Sequence, residues 1–148
     1  LSAEPIAGAR FEDPIAEFGR ERCYEVRALE KVGRFVVEGE PSPRACVTPR
    51  DTFPPAPPTG LTAVAAPGAV NLIWNPNTEK DLAGYVVLRG EAPGGTLQPL
   101  VTSPLAEPMY RDVSVTPGQR YVYAVVAVDR ADPPNRSAPS PPVDVIAR

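Results

Sequence analysis

Val115-Thr116-Pro117-Gly118-Gln119-Arg120-Tyr121-Val122-Tyr123-Ala124-Val125-Val126-Ala127-Val128 is the stretch that decides the fold. Pro117-Gly118 supplies a turn, because proline presets φ and glycine tolerates the left-handed region. The run from Tyr121 to Val128 is rich in β-branched and aromatic residues, which suits a strand. Period-2 alternation puts Tyr121, Tyr123 and Val125 on one face, the expected core face.

Reading outward, the segments on either side carry the same signature. Leu61 and Ala63 open a strand that Pro67-Gly68 turns, and Val70, Leu72 and Trp74 alternate along a second. Asn75-Pro76-Asn77-Thr78 reads as a loop, and Gly84 to Arg89 as a third strand whose Tyr85 and Val87 share the buried face with Trp74. Leu97–Val101 and Met109–Val115 follow as short strands, and Val143, Val145 and Ala147 mark the last. Seven strands and no helix are expected, an all-β antiparallel sandwich.

A second copy of the pattern lies upstream. Pro5 to Asp13 aligns without gaps on Pro104 to Asp112, and the shift of 99 positions continues through Gly19 on Gly118, Tyr24 on Tyr123, Val26 on Val125 and Ala28 on Ala127. After one residue of slippage, Pro41-Ser42-Pro43 falls on Pro139-Ser140-Pro141 and Val47 on Val145. A period near 100 residues is the length of an immunoglobulin-like sandwich and far above that of solenoid repeats. The upstream copy has only its closing part. The expected division is therefore 1–50 for the last strands of a partial domain, about three of them, 51–58 for a proline-rich linker, and 59–148 for a complete domain.

Composition agrees. The 148 residues include 21 prolines and 11 glycines, which leave no long helical pattern, while 43% hydrophobic content is enough for a core. No apolar run approaches the roughly 20 residues that cross a bilayer, and the start Leu1-Ser2-Ala3-Glu4-Pro5 has no secretory leader pattern. With a net charge of −3 and both signs interspersed, no basic stripe is present to neutralise phosphates, so nucleic acid is not expected as a partner.

Pro57-Pro58-Thr59-Gly60-Leu61, Trp74, the run Asn77 to Val87, and Val115 to Tyr121 followed by Tyr123 to Val128 together resemble a fibronectin type III domain of the bacterial extracellular kind. The resemblance covers residues 54–148 and, through the repeat, part of 5–50. It implies a β-sandwich in which Trp74 is the central core aromatic. Tyr121 would be the corner tyrosine, its hydroxyl bonded to upstream backbone. In the upstream copy Arg22 stands where Tyr121 stands, a departure from the pattern that takes away the corner hydroxyl there.

If Tyr24, Val26 and Ala28 face the core, alternation turns Cys23 to the opposite face. Cys46 lies on the following strand, beyond a loop around Gly33 and Gly39 to Pro43. A cross-strand Cys23–Cys46 disulfide is expected, closing a loop of roughly 20 residues and contributing about 3 kcal/mol; the alternative is two free thiols. Such a bridge points to an oxidising compartment, hence to an extracellular, periplasmic or cell-surface location.

Candidate chemistry is sparse. The sequence contains no histidine, which removes the commonest general base and metal ligand, and no catalytic, cofactor or metal residues are assigned. Glu79 and Asp81 beside Asn75 and Asn77 form an oxygen-rich loop of a kind that can hold calcium, but without the alternate ligand spacing, so a polar turn is the reading preferred. Arg89-Gly90-Glu91 is a loose match to an integrin-binding tripeptide and reads as a turn. Asn135-Arg136-Ser137 fits an N-glycosylation acceptor, relevant only in a eukaryotic secretory host. Gly94-Gly95 marks a turn and no phosphate cradle.

The expected role is that of a non-catalytic spacer or interaction module in a secreted or surface protein, with neighbouring domains as partners and an unspecified protein or polysaccharide ligand. The alternatives are an accessory tail of a secreted hydrolase and a strand-complemented subunit of a surface assembly.

Overall fold

The computed structural model describes residues 4–148. Eleven strands and no helix occur among them, and the chain divides into two compact units, Leu1–Asp51 and Thr52–Arg148.

The first unit is a hairpin whose pairing is interrupted into two short two-stranded sheets. Strands β1 (Arg22–Tyr24), β2 (Arg27–Val32), β3 (Phe35–Pro41) and β4 (Ala45–Val47) follow in order, with β2 paired to β3 and β1 paired to β4, both antiparallel. Gly33, at φ 62°, makes the tight turn between Val32 and its cross-strand partner Phe35. Four strands stand where about three were expected, and Gly39-Glu40-Pro41, expected in a loop, extend β3. The β-branched run Phe35-Val36-Val37 carries the ladder through them, and a register shift between Arg27 and Leu29 absorbs the irregularity. Pro41 is tolerated because it ends the strand.

Cys23 and Cys46 are directly opposite in the β1–β4 ladder, with Cα atoms 4.0 Å apart, and are joined by a disulfide. So short a separation marks a non-hydrogen-bonded pair, whose amides point away from each other.

The second unit is a two-layer sandwich. One sheet has the order β5 (Thr62–Ala66), β6 (Ala69–Ile73), β9 (Met109–Asp112); the other has β11 (Val143–Ile146), β10 (Arg120–Asp129), β7 (Leu82–Glu91), β8 (Gln98–Pro99). Every paired neighbour is antiparallel. Val70, Leu72 and Trp74 are buried while Asn71 and Ile73 between them are exposed, the alternation that fixes the register of a half-buried strand. They pack against Tyr85, Val87, Tyr121, Tyr123 and Val125 from the facing sheet. Trp74 and Tyr85 meet edge to face at 5.2 Å.

Arg89-Gly90-Glu91 is not a turn: all three residues lie in β7, paired with Tyr123, Val122 and Tyr121. A Cβ on Gly90 would come within 2.6 Å of the Gly95 carbonyl oxygen, so this position admits only glycine if the following turn is to fold back onto β7.

The division between the units falls before Thr52, so the proline-rich stretch belongs to the second unit, with Pro55 and Pro58 buried there.

Candidate functional site

The most highly organised polar group in the second unit is built around Asp112, 1% exposed, at the end of β9. Its Oδ2 accepts from Arg89 Nη1 at 2.8 Å and from the Tyr123 hydroxyl at 2.9 Å. Its Oδ1 accepts from the Ser114 amide at 2.9 Å and the Ser114 hydroxyl at 2.7 Å. Arg89 also donates to the Ser114 carbonyl and lies 4.9 Å over the Tyr121 ring. Burial opposes ionisation of Asp112, yet the Ser114, Arg89 and Tyr123 donors outweigh it and hold the carboxyl below its ordinary value. Burial, then Asp112, pushes the Tyr123 hydroxyl well above its own. The node ties β9 of one sheet to β7 and β10 of the other, which makes it a clasp between the two layers.

The same node recurs in the first unit. Tyr24 donates to Asp13 Oδ2 at 2.9 Å, as Tyr123 does to Asp112, and the Ile15 amide caps Oδ1 at 3.0 Å. Further bonds repeat with equal fidelity. Val26 and Ser42 are joined by Val26 N to Ser42 Oγ, 3.0 Å, and Ser42 N to Val26 O, 2.8 Å. Val125 and Ser140 are joined at 3.0 and 2.8 Å in the same way. Gly19 N bonds Pro49 O at 2.8 Å as Gly118 N bonds Ala147 O at 2.9 Å. The self-similarity read from the sequence, slippage included, is thus a self-similarity of hydrogen bonds.

One component differs. Arg89 comes from β7, and no described residue of the first unit corresponds to it. The cation facing Asp13 is Arg22, 3.6 Å away, which also donates to the Ile15 carbonyl at 2.7 Å. Arg22 occupies the position of Tyr121, so the departure from the repeat pattern removes the corner tyrosine and supplies a guanidinium from within the hairpin. At Asp13, burial again opposes ionisation, and the Ile15 amide, Tyr24 and Arg22 overcome it.

The corner in the second unit is intact, with the Thr116 amide donating to the Tyr121 hydroxyl at 3.0 Å. All five expected core residues, Trp74, Tyr85, Tyr121, Tyr123 and Val125, are buried. In the first unit the matching positions have no such cover: Val26 is 65% exposed where Val125 is fully buried. An open groove of about 790 Å³ runs along Phe11, Asp13, Tyr24, Val26 and Ala28.

The oxygen-rich loop resolves into a clasp as well. Glu79 accepts from the amides of Ala56, 2.7 Å, and Thr78, 3.0 Å, while Asn77 Nδ2 donates to the Ala56 carbonyl at 2.9 Å. The Ala56 amide is the main reason the Glu79 carboxyl sits below its ordinary value. Asn77 N donates to the Tyr85 hydroxyl at 2.7 Å, tying the loop to the core. Glu79→Ala is expected to release the proline-rich stretch, raising amide exchange at Ala56 at least tenfold and leaving β10 unchanged. Since the native carboxyl is the more acidic one, the clasp is complete above about pH 4.3 and weakens as pH falls through the lower native value.

In the glycosylation-like tripeptide, Asn135 is engaged by the buried Asp129, donating from N at 2.7 Å and from Nδ2 at 2.8 Å. Ser137 Oγ accepts from the Ala127 amide at 2.9 Å.

Two antiparallel sheets, a central tryptophan and a corner tyrosine define an immunoglobulin-like sandwich. The solved structures place it more narrowly. A Fn3-like protein from Clostridium thermocellum matches with a TM-score of 0.54 and 28% identity over 65% of this chain and 96% of its own. The chicken CNTN1 FN1-FN3 domains match with a TM-score of 0.60 and 21% identity over 93% of this chain and 46% of theirs. Pectate lyase PelI from Erwinia chrysanthemi, solved with tetragalacturonic acid, matches with a TM-score of 0.51 and 20% identity over 61% of this chain and 28% of its own. The second unit has the fibronectin type III fold. No family model matches the sequence. An amylopullulanase from Thermoanaerobacter thermohydrosulfuricus is 39% identical over 75 residues, which are 51% of this chain and 5% of the enzyme's length.

Proposed function

We propose that this chain is a non-catalytic segment of a larger secreted or surface polypeptide, in which fibronectin type III-like repeats space and present neighbouring domains. The observation that carries the reading is the recurrence of one hydrogen-bond framework at one-domain spacing, Tyr24–Asp13 with Val26–Ser42 and Tyr123–Asp112 with Val125–Ser140. On this reading residues 5–50 are the closing strands of a repeat whose opening strands lie in polypeptide N-terminal to them, and 52–148 is a complete one. The Cys23–Cys46 bridge supports an oxidising location.

A narrower reading, an accessory segment of a polysaccharide-degrading enzyme, is supported by the likeness to part of an amylopullulanase. The test is deletion of 52–148 from the parent protein. Turnover of a small soluble substrate should stay within twofold, while action on polymeric or insoluble substrate falls severalfold. Loss of small-substrate turnover in a protein that remains folded would place catalytic groups in this segment and defeat the proposal.

A further inference from the structure

The open groove of the first unit shows what kind of polypeptide covers it, because the second unit presents the same surface covered. There the face formed by Tyr123, Val125 and Ala127 is closed by Val70, Leu72 and Trp74 of the facing sheet, and the edge of β10 is closed by β7, which pairs with it from Tyr121 to Asp129. In the first unit β1 pairs only with β4 and β2 only with β3 among the described residues, which leaves the equivalent edge of β1–β2 without a strand. Cys23 and Cys46 form a non-hydrogen-bonded pair and Val26 N bonds Ser42, so by alternation the amides of Cys23 and Glu25 point to that edge. Their counterparts Val122 and Ala124 pair with Gly90 and Leu88 of β7.

The charge arrangement adds a specification that the fold does not. Asp112 receives its cation from the strand paired with β10, through Arg89 of β7. Asp13 already has one from its own hairpin, through Arg22. Once the groove is covered and water excluded, an arginine at the Arg89 position would set two guanidinium groups against one carboxylate, which is unfavourable in a site of low polarity. Arg22 also removes the aromatic ring on which Arg89 rests.

We infer that the first unit is completed by strands of the same parent polypeptide, a segment about as long as residues 59–103 and immediately N-terminal to Pro5. We infer further that its strand facing β1 carries a neutral residue where β7 carries Arg89. Arg22 is then the residue that selects its covering strand. This rests on the proposal that residues 5–50 close a fibronectin type III-like repeat.

The experiment compares amide exchange at Cys23 and Glu25 in the parent polypeptide and in the 148-residue chain, then measures the parent with Arg22→Gln. A second parent variant joins Arg22→Tyr to an arginine at the facing position. The expected results are at least a hundredfold slower exchange in the parent, a loss of tenfold or more of that protection with Arg22→Gln, and its recovery in the double variant. Equal exchange in the two wild-type proteins would overturn the repeat reading itself. Slow exchange with a lysine or arginine already at the facing position, or with Arg22→Gln having no effect, would leave that reading standing and overturn the selection by Arg22. Failure of the double variant to recover protection would overturn it equally.

Discussion

Asp112→Asn is expected to destabilise the second unit by about 3–5 kcal/mol, which lowers the midpoint of thermal unfolding by roughly 15–30 °C for a domain of this size. Asp112 accepts four hydrogen bonds and offers none in return. An asparagine of the same shape turns an amide toward two donors, leaving Tyr123 without its acceptor and Arg89 with only the neutral Ser114 oxygens in place of a carboxylate. Arg89 keeps its positive charge over the Tyr121 ring in a site that excludes most water. The cost arises mainly from what is left unpaired, since an intact buried pair contributes little over an apolar replacement. Adding Arg89→Met to Asp112→Asn should therefore return part of the lost stability.

The pH dependence carries the same signature. The native carboxyl is more acidic than the unfolded one. Its stabilisation is complete above about pH 3.9, the unfolded value, and disappears as pH falls through the lower native value. Asp112→Asn should flatten the fall of stability below about pH 4. A curve unchanged in shape would show that the carboxylate is not the group being protonated.

Trp74→Ala carries the second large effect, about 3–5 kcal/mol, because it leaves a cavity among residues from both sheets. The ring lies against Tyr85, and its Nε1 makes no hydrogen bond. Trp74→Phe should therefore lose only packing, with no buried partner orphaned, and cost less than half as much. If phenylalanine proves as damaging as alanine in chemical denaturation, the indole nitrogen has a role that packing does not describe.

Strand β6 is legible because it has one buried face, and a one-residue slip would expose its buried apolar side chains. Val70, Leu72 and Trp74 could be assigned from alternation alone. The first unit was harder for the opposite reason. Its strand β3 is exposed along nearly its whole length, so no alternation distinguishes strand from loop, and glycine and proline at 39 and 41 read as punctuation.

Arg89 reads as part of a turn for a related cause. Beside glycine it has the look of a turn, and the partner that keeps it in a strand, Asp112, lies two strands away in sequence. The repeat did contain the signal, since Asp13 and Tyr24 recur as Asp112 and Tyr123 at one common shift. An acid and a tyrosine on strands consecutive in sequence, recurring together, are the signal of a buried hydrogen bond between the layers. The meaning of Arg22 was beyond sequence, because it depends on a guanidinium replacing one that comes from another strand.

The most direct test of the account is to produce residues 52–148 alone and follow their unfolding by calorimetry beside the 148-residue chain. An autonomous fibronectin type III domain unfolds in one cooperative transition, with its midpoint within about 3 °C of that domain's transition in the longer chain and its calorimetric and van't Hoff enthalpies equal. A fragment that fails to fold, or whose midpoint falls by 10 °C or more, would show that the sandwich depends on the preceding residues and would contradict the reading of the chain as a complete domain following a partial one.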